Sequence, residues 1–228
     1  MNSELSLLES LHLLAIEDKK GHFLANEIAF PYCLGGAILL ELSLLDKIEV
    51  IEEKVIVKNN HLPKDEFLSQ LFLKIINKKK KKSLRYWIEH FGSMSKKIKK
   101  NTVASLISKR ILSKKDSKIL WVIPNTKYPT VNPNPELNLR KRLANIIEKN
   151  EAGSVKEIML ISLVDTCNLN SEVYGKKQAK LNKKAIKELL KNNEQLSKVG
   201  ETVKEIHELI IVLIVVMITT TTVTAISN

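Results

Sequence analysis

Glycine is scarce in this sequence, with 7 residues in 228, and aromatic residues make up only 5%. So few glycines leave little for a phosphate-cradling loop. The patterns GxxxxGK[ST], GxGxxG, GxSxG and HExxH are all absent, and with them the signals for nucleotide, dinucleotide, hydrolase and zinc-protease chemistry. Cysteine is nearly missing as well. Cys33 and Cys167 lie far apart with no CxxC or Cys/His spacing, which argues against a disulfide framework or a zinc site and points to two small buried residues. The histidines His12, His22, His61, His90 and His207 are scattered, and none sits in a Cys, Ser or carboxylate pattern that spacing alone identifies. No catalytic residue, metal ligand or cofactor is therefore expected, and the chain reads as a non-enzyme. The N-terminus also lacks an apolar leader. "MNSELSLLES" carries Glu4 and Glu9 among its leucines, so a secretory signal is not expected and a cytoplasmic location is.

What the chain does have is positive charge, concentrated in one place. The formal net charge is +12, yet residues 74–118 hold sixteen Lys or Arg against Glu89 and Asp116, an excess of +14 that leaves the rest at −2. A field of one sign implies a polyanionic partner, either nucleic acid or the headgroups of an anionic membrane. At 44% hydrophobic content the chain can also fill a core, and one domain over residues 1–228 is expected.

Apolar spacing gives the element order. Ser6 and Glu9 form a capping box for a helix to about Ile16, which Asp18-Lys-Lys-Gly21 ends. Pro31 opens a second helix, apolar around most of its circumference and so expected to be buried. Ile48–Ile51 and Val55–Val57 read as a β-hairpin turning at Glu52-Glu53-Lys54. Leu62 to Asp65 starts a helix reaching Asn77, the run Lys78–Lys82 follows as a loop or a frayed helix end, and Tyr86 to Phe91 makes a short aromatic helix broken at Gly92-Ser93. Ser95 is placed as the cap of a helix through Ile111, with Lys96, Lys97, Lys99 and Lys100 crowding its start. Four cations there oppose the helix dipole, which suggests that an anion is expected at that end.

After this helix, Ile111–Ser113 and Ile119–Ile123 are read as strands flanking Lys114-Lys-Asp-Ser117, a second hairpin. In that register Ile119, Trp121 and Ile123 share one face and Leu120 and Val122 the other. Helices at Glu136–Lys149, Val155–Val164, Lys176–Asn192 and Thr202 to about Ile226 complete the chain. The fold class is mainly α: a globular helical domain with peripheral β-hairpins, one of them basic, apolar and membrane-facing. A basic helix followed by a hairpin also has the pattern of a winged helix, so DNA binding is the competing reading. Against it, base reading favours Arg, Asn and Gln, and here the charges are mostly lysines clustered at the helix start.

Four stretches carry a resemblance to a known family: "LSLLESLHLLAIEDKKG", "LGGAILLELSLLDKIEV", "LISKRILSKKDSKILWVIPNTKYP" and "LRKRLANII". In order and spacing they resemble the Golgi phosphoprotein 3 family of peripheral membrane proteins, over roughly residues 3–226. The resemblance implies a helical core with β-hairpins on one face, a basic pocket for phosphatidylinositol 4-phosphate and an apolar hairpin that dips into the bilayer. On this chain the headgroup-binding positions it implies are Lys96 and Lys99, with Lys97 and Lys100 adding attraction, and Asn26 and Gly35 where the family has Trp and Arg. The membrane hairpin is Lys114, Lys115, Lys118, Leu120, Trp121 and Val122. The family's paired arginines are lysines here, so charge is kept and the bidentate fork is lost. The implied partner is an anionic phospholipid surface on the cytoplasmic face of a membrane, with nucleic acid disfavoured. Other membrane proteins and a second copy of the chain are left open as partners.

The run Leu209–Ile218 is ten consecutive apolar residues followed by "TTTTVTAI". Its length is near the lower limit for a membrane span, five of its residues are threonines, and no Lys or Arg follows. A core helix is the expectation, with a membrane anchor or a strand as the alternatives.

Overall fold

The computed structural model describes residues 4–17, 21–25, 27–119, 123–192 and 205–213. Two nearly all-apolar helices form its centre. Helix α1, Leu7–Leu14, begins at the expected capping box: Ser6 Oγ accepts from Glu9 N–H at 3.0 Å and the Glu9 carboxylate accepts from Ser6 N–H at 2.8 Å. All eight of its residues are buried, Glu9, Ser10 and His12 included. Helix α2, Ala29–Leu44, starts two residues before Pro31 and is buried along most of its length, as its lack of a polar face requires.

Around this pair stand α3 (Glu66–Ile76), α4 (Leu84–Ser93), α5 (Ser95–Ser108), α6 (Asn134–Glu148), α7 (Val155–Thr166), α8 (Asn170–Tyr174) and α9 (Lys176–Asn192), with α10 over residues 205–213. Helix α7 carries a second capping box, Ser154 with Glu157, and packs on both α1 and α2. Helix α4 approaches α2 so closely that a Cβ at Gly35 would lie 2.3 Å from the Ile88 carbonyl oxygen. Only glycine fits there. Cys33 on α2 and Cys167 at the end of α7 are both buried, free and hydrogen-bonded to each other, and burial pushes the Cys167 thiol well above its ordinary pKa.

The first hairpin pairs β1 (Ile48–Ile51) with β2 (Lys54–Val57), and Glu52 and Glu53 turn it with φ of 48° and 60°. Two positive φ values suit the twist of a two-residue hairpin loop. Val55 N–H and Leu84 N–H bond to the Lys82 and Glu53 carbonyls and fix this hairpin to the loop before α4.

The second hairpin corrects the expected register. Strand β3 is Lys115–Ile119 and β4 is Ile123–Lys127, paired Lys115↔Lys127 through Ile119↔Ile123. Lys114 to Ser117, read above as the turn, mostly belong to the first strand. The expected strand Ile119–Ile123 instead straddles the link between the two strands. Leu120, Trp121 and Val122 lie outside the described residues, so the facing assigned to them does not carry over. The cause is tertiary anchoring at the hairpin base: Leu112 bridges Thr130, and Ser113 N–H bonds to the Pro129 carbonyl at 3.0 Å. A second correction concerns Ser95, which lies inside α5. The N-cap is Met94, with no side-chain cap bond.

A large core runs from Leu7 through α2, α4 and α7 to Ile206, Ile210 and Leu213 on α10. The described part of the terminal apolar run is thus a helix packed on the core, and residues 214–226 lie outside the description. Among the described residues, no helix is long and apolar enough to cross a membrane. A smaller core, of Leu13, Ile16, Val103, Leu106, Ile111 and Leu112, joins the end of α1 to α5 and the hairpin base. Phe23 packs against both.

Candidate anion-binding surface

The first turns of α5 carry Lys96, Lys97, Lys99 and Lys100, with no acidic residue in the first turn and no capping side chain. Lys96, Lys97 and Lys100 are exposed, whereas Lys99 is half-buried. Among the described residues none of the four makes an ion pair, although the Glu27 charge bears on Lys99.

Lys99 rests on an aromatic floor. Its Nζ lies 4.8 Å from the Phe23 ring centroid and 5.1 Å from that of Phe30. Burial lowers its pKa, partly offset by Glu27. Beneath the two rings His12 packs edge-on to both, at 6.0 Å from Phe23 and 5.4 Å from Phe30. The His12 Nδ1 lies 2.8 Å from the Leu8 carbonyl, so the neutral ring carries its proton there and Nε2 is a buried acceptor without a hydrogen-bond partner. Burial, reinforced by the nearby Lys99 charge, pushes the His12 pKa down to about 4. The site is therefore a cation held over neutral rings.

The same floor leads to the second hairpin. After α1 the chain turns at Gly21, φ +67°, whose carbonyl accepts from Tyr128 N–H at 3.1 Å just beyond β4. A Cβ at Gly21 would lie 2.4 Å from the Tyr128 nitrogen, so the contact needs glycine twice over. Phe23 follows two residues later, and its neighbour Leu24 is 42% exposed. The loop after α1 thus ties the basic helix start to the hairpin base.

Not all the expected charge faces outward. Lys109 is spent on buried Glu9 at 2.6 Å, where Ser105 Oγ also donates at 2.7 Å. Lys109, Ser6 and Ser105 together outweigh burial and leave the Glu9 pKa lowered. Arg85 pairs with Glu89, and Lys114 with Asp116 at 2.8 Å. Lys115 is exposed, and Lys118 holds its backbone place opposite Pro124. Lys78–Lys82 is a loop, the first of the two expected alternatives. Its two ends are organised: Lys78 and Lys82 each lie 5.3 Å from the Tyr86 ring centroid, and Tyr86 stacks on His90 at 5.7 Å.

Of the remaining predicted positions, only Gly35 is described, and it does not join this cluster. Gly35 is buried at the α2–α4 contact, a packing position, and Asn26 lies outside the described residues. Sequence reasoning missed Phe23, Phe30 and His12. The one signal available was that aromatic residues are few, so that two phenylalanines within eight positions stand out.

A family model described as Golgi phosphoprotein 3 (GPP34) matches residues 7–209, nearly the whole chain. The chain belongs to the Golgi phosphoprotein 3 family. That is a non-enzymatic lipid-binding family. A search of curated proteins finds no match. The match takes in α5 and the β3–β4 hairpin, the two pieces that suggested a winged helix, and nothing supports the DNA-binding alternative.

Proposed function

We propose that this chain is a peripheral membrane protein that binds anionic lipid headgroups at the start of α5 while the β3–β4 hairpin meets the bilayer, on the cytoplasmic face of a membrane. By family, phosphatidylinositol 4-phosphate or a similar phospholipid is the ligand. The observation that carries the reading is the set of four lysines that make no ion pair among the described residues, at an uncapped helix start joined through Phe23 and Gly21 to the hairpin base. An anion there relieves the repulsion between the lysines and the helix dipole. Each lysine near an anionic surface contributes about 1 kcal/mol, so four supply about 4 kcal/mol, a millimolar-range attraction to which the hairpin's contact with the bilayer adds. Lysines are point charges and lack the guanidinium fork, so affinity should follow headgroup charge more than headgroup shape.

Sedimentation with liposomes tests this, using neutral vesicles, vesicles with phosphatidylserine and vesicles with a phosphorylated inositol lipid, beside a duplex-DNA titration at matched salt. The reading expects no pelleting with neutral vesicles and increasing pelleting with headgroup charge. Binding to DNA with indifference to all three vesicles would replace it by the nucleic-acid reading. For the hairpin, Trp121 emission in a Trp87→Phe background should shift to the blue and become shielded from aqueous quencher on adding anionic vesicles. Emission already blue and unmoved by lipid removes the hairpin from the membrane.

A further inference from the structure

A cavity of about 560 Å³ lies among α1, α2, α3 and α5, and its size is that of a small-molecule site. None of the four lysines at the start of α5 lines it. Ile38, Leu45, Phe67, Leu68 and Leu71 make its α2–α3 side apolar, whereas the start of α1 and the flank of α5 bring polar groups together. A ligand that fills it needs one part of each kind.

The charges around the cavity cancel. Glu9, Glu41 and Asp65 stand against Lys47 and Lys64 in the lining, and Lys109 pairs with Glu9 at 2.6 Å, so three carboxylates meet three ammonium groups. Most are also engaged already. Lys47 Nζ donates to Asn59 Oδ1 at 2.9 Å, Asp65 Oδ1 accepts from the Leu68 N–H at 2.6 Å, and Glu41 accepts from the Leu7 N–H at 2.5 Å. Lys156, whose ion-pair partner is Glu4, acts on Glu41 as well, and Lys64 stands exposed to water. An ionic head entering here gives up its hydration and finds no net opposite charge to offset that loss.

The polar capacity left over is mixed. Ser6 Oγ accepts from the Glu9 N–H at 3.0 Å, which leaves its O–H to donate. Asn101 Nδ2 donates to the Lys97 carbonyl at 2.8 Å, which leaves a second N–H and the side-chain carbonyl oxygen. Thr102 Oγ1 donates to the Ile98 carbonyl and Ser105 Oγ to Glu9, so both keep lone pairs. A hydroxyl donates and accepts at once and can use both kinds, whereas a carboxylate only accepts and an ammonium only donates.

We propose that this cavity binds an uncharged, hydroxylated amphiphile of the monoacylglycerol kind, its chain against α2 and α3 and its hydroxyls against Ser6, Asn101, Thr102 and Ser105. The site does not depend on the membrane reading.

The test is displacement of N-phenylnaphthylamine, an uncharged fluorophore without a hydroxyl, by monodecanoylglycerol, decanoic acid and decylamine, in the absence of vesicles and below micelle-forming concentrations. The expected result is saturable uptake of the fluorophore with blue-shifted emission, and one-to-one displacement by monodecanoylglycerol at least tenfold more effective than by either ionic analogue. Asn101→Leu should weaken monodecanoylglycerol about tenfold while the fluorophore binds as before. Leu45→Trp places bulk at the mouth, on a residue 45% exposed, so the fold is retained and both ligands should be lost. No saturable uptake, comparable or better displacement by an ionic analogue, undiminished monodecanoylglycerol binding in Asn101→Leu, or full retention in Leu45→Trp would each overturn the proposal. Melting curves of both variants identify any loss of fold, and Asn101→Leu decides the point if Leu45→Trp fails to fold.

Discussion

The start of α5 and the loop Lys78–Lys82 carry similar charge, yet the protein treats them differently. In the loop, Lys79, Lys80 and Lys81 stand exposed, and the two end lysines lie over the partly exposed Tyr86. At α5 one lysine, Lys99, is drawn half out of water onto two rings of which Phe30 is fully buried. An exposed charge is screened within about 8 Å at physiological salt, whereas a desolvated one keeps its field. The lesson is that local charge density does not mark a site. A charge held in low dielectric beside unpaired neighbours does.

The largest expected effect comes from removing the floors. Phe30→Ala should cost about 3–5 kcal/mol in urea unfolding, because the ring is wholly buried in the core. Tyr86→Ala, which removes the corresponding ring from the loop, should cost about 1 kcal/mol and leave vesicle binding unchanged. Similar costs for the two would mean that the regions differ only in name.

Acid should act next, and mainly on the α5 side. His12 has its pKa lowered from 6.5 to about 4 by burial, so between those values the unfolded chain binds the extra proton and the folded one does not. The stability from a neutral His12 is therefore complete above pH 6.5 and is lost as pH falls towards 4, a decline of about 3 kcal/mol. His12→Asn should flatten most of that window in unfolding measured across it. His90 and His207 are shifted in the same direction and leave a residual slope.

The smallest effect belongs to the hairpin. Asp116 is exposed and pairs with Lys114 and Thr126. Asp116→Asn should leave Tm unchanged, since exposed pairs contribute little. By freeing Lys114 it should also raise pelleting with anionic vesicles at low salt. A fall in pelleting would mean that the hairpin does not face the membrane.

Much of the fold was legible because its signals are local. Ser6 with Glu9 and the Asp65 cap announced helix starts, and the apolar circumference of α2 announced its burial. The β3–β4 register was not legible. Lys-Asp-Ser-Lys has the composition of a turn, and what makes it a strand is the anchoring of Leu112 to Thr130 at the hairpin base. Of the site, the lysines were visible and their floor was not. His12, Phe23 and Phe30 lie some seventy or more positions before Lys99, and no spacing connects them. Gly35 differs again: the resemblance implied a headgroup position there, and the structure shows a position without room for a side chain, where α4 approaches α2.

The most direct test of the central claim compares two double variants in one vesicle assay. Lys96→Ala with Lys99→Ala removes two charges from the start of α5, and Lys79→Ala with Lys80→Ala removes two from the loop, so net charge falls equally. Affinity for vesicles containing a phosphorylated inositol lipid should fall about tenfold further in the first variant, with the gap persisting as salt is raised. Equal losses that vanish together in salt would contradict the account, leaving a diffuse field and no site.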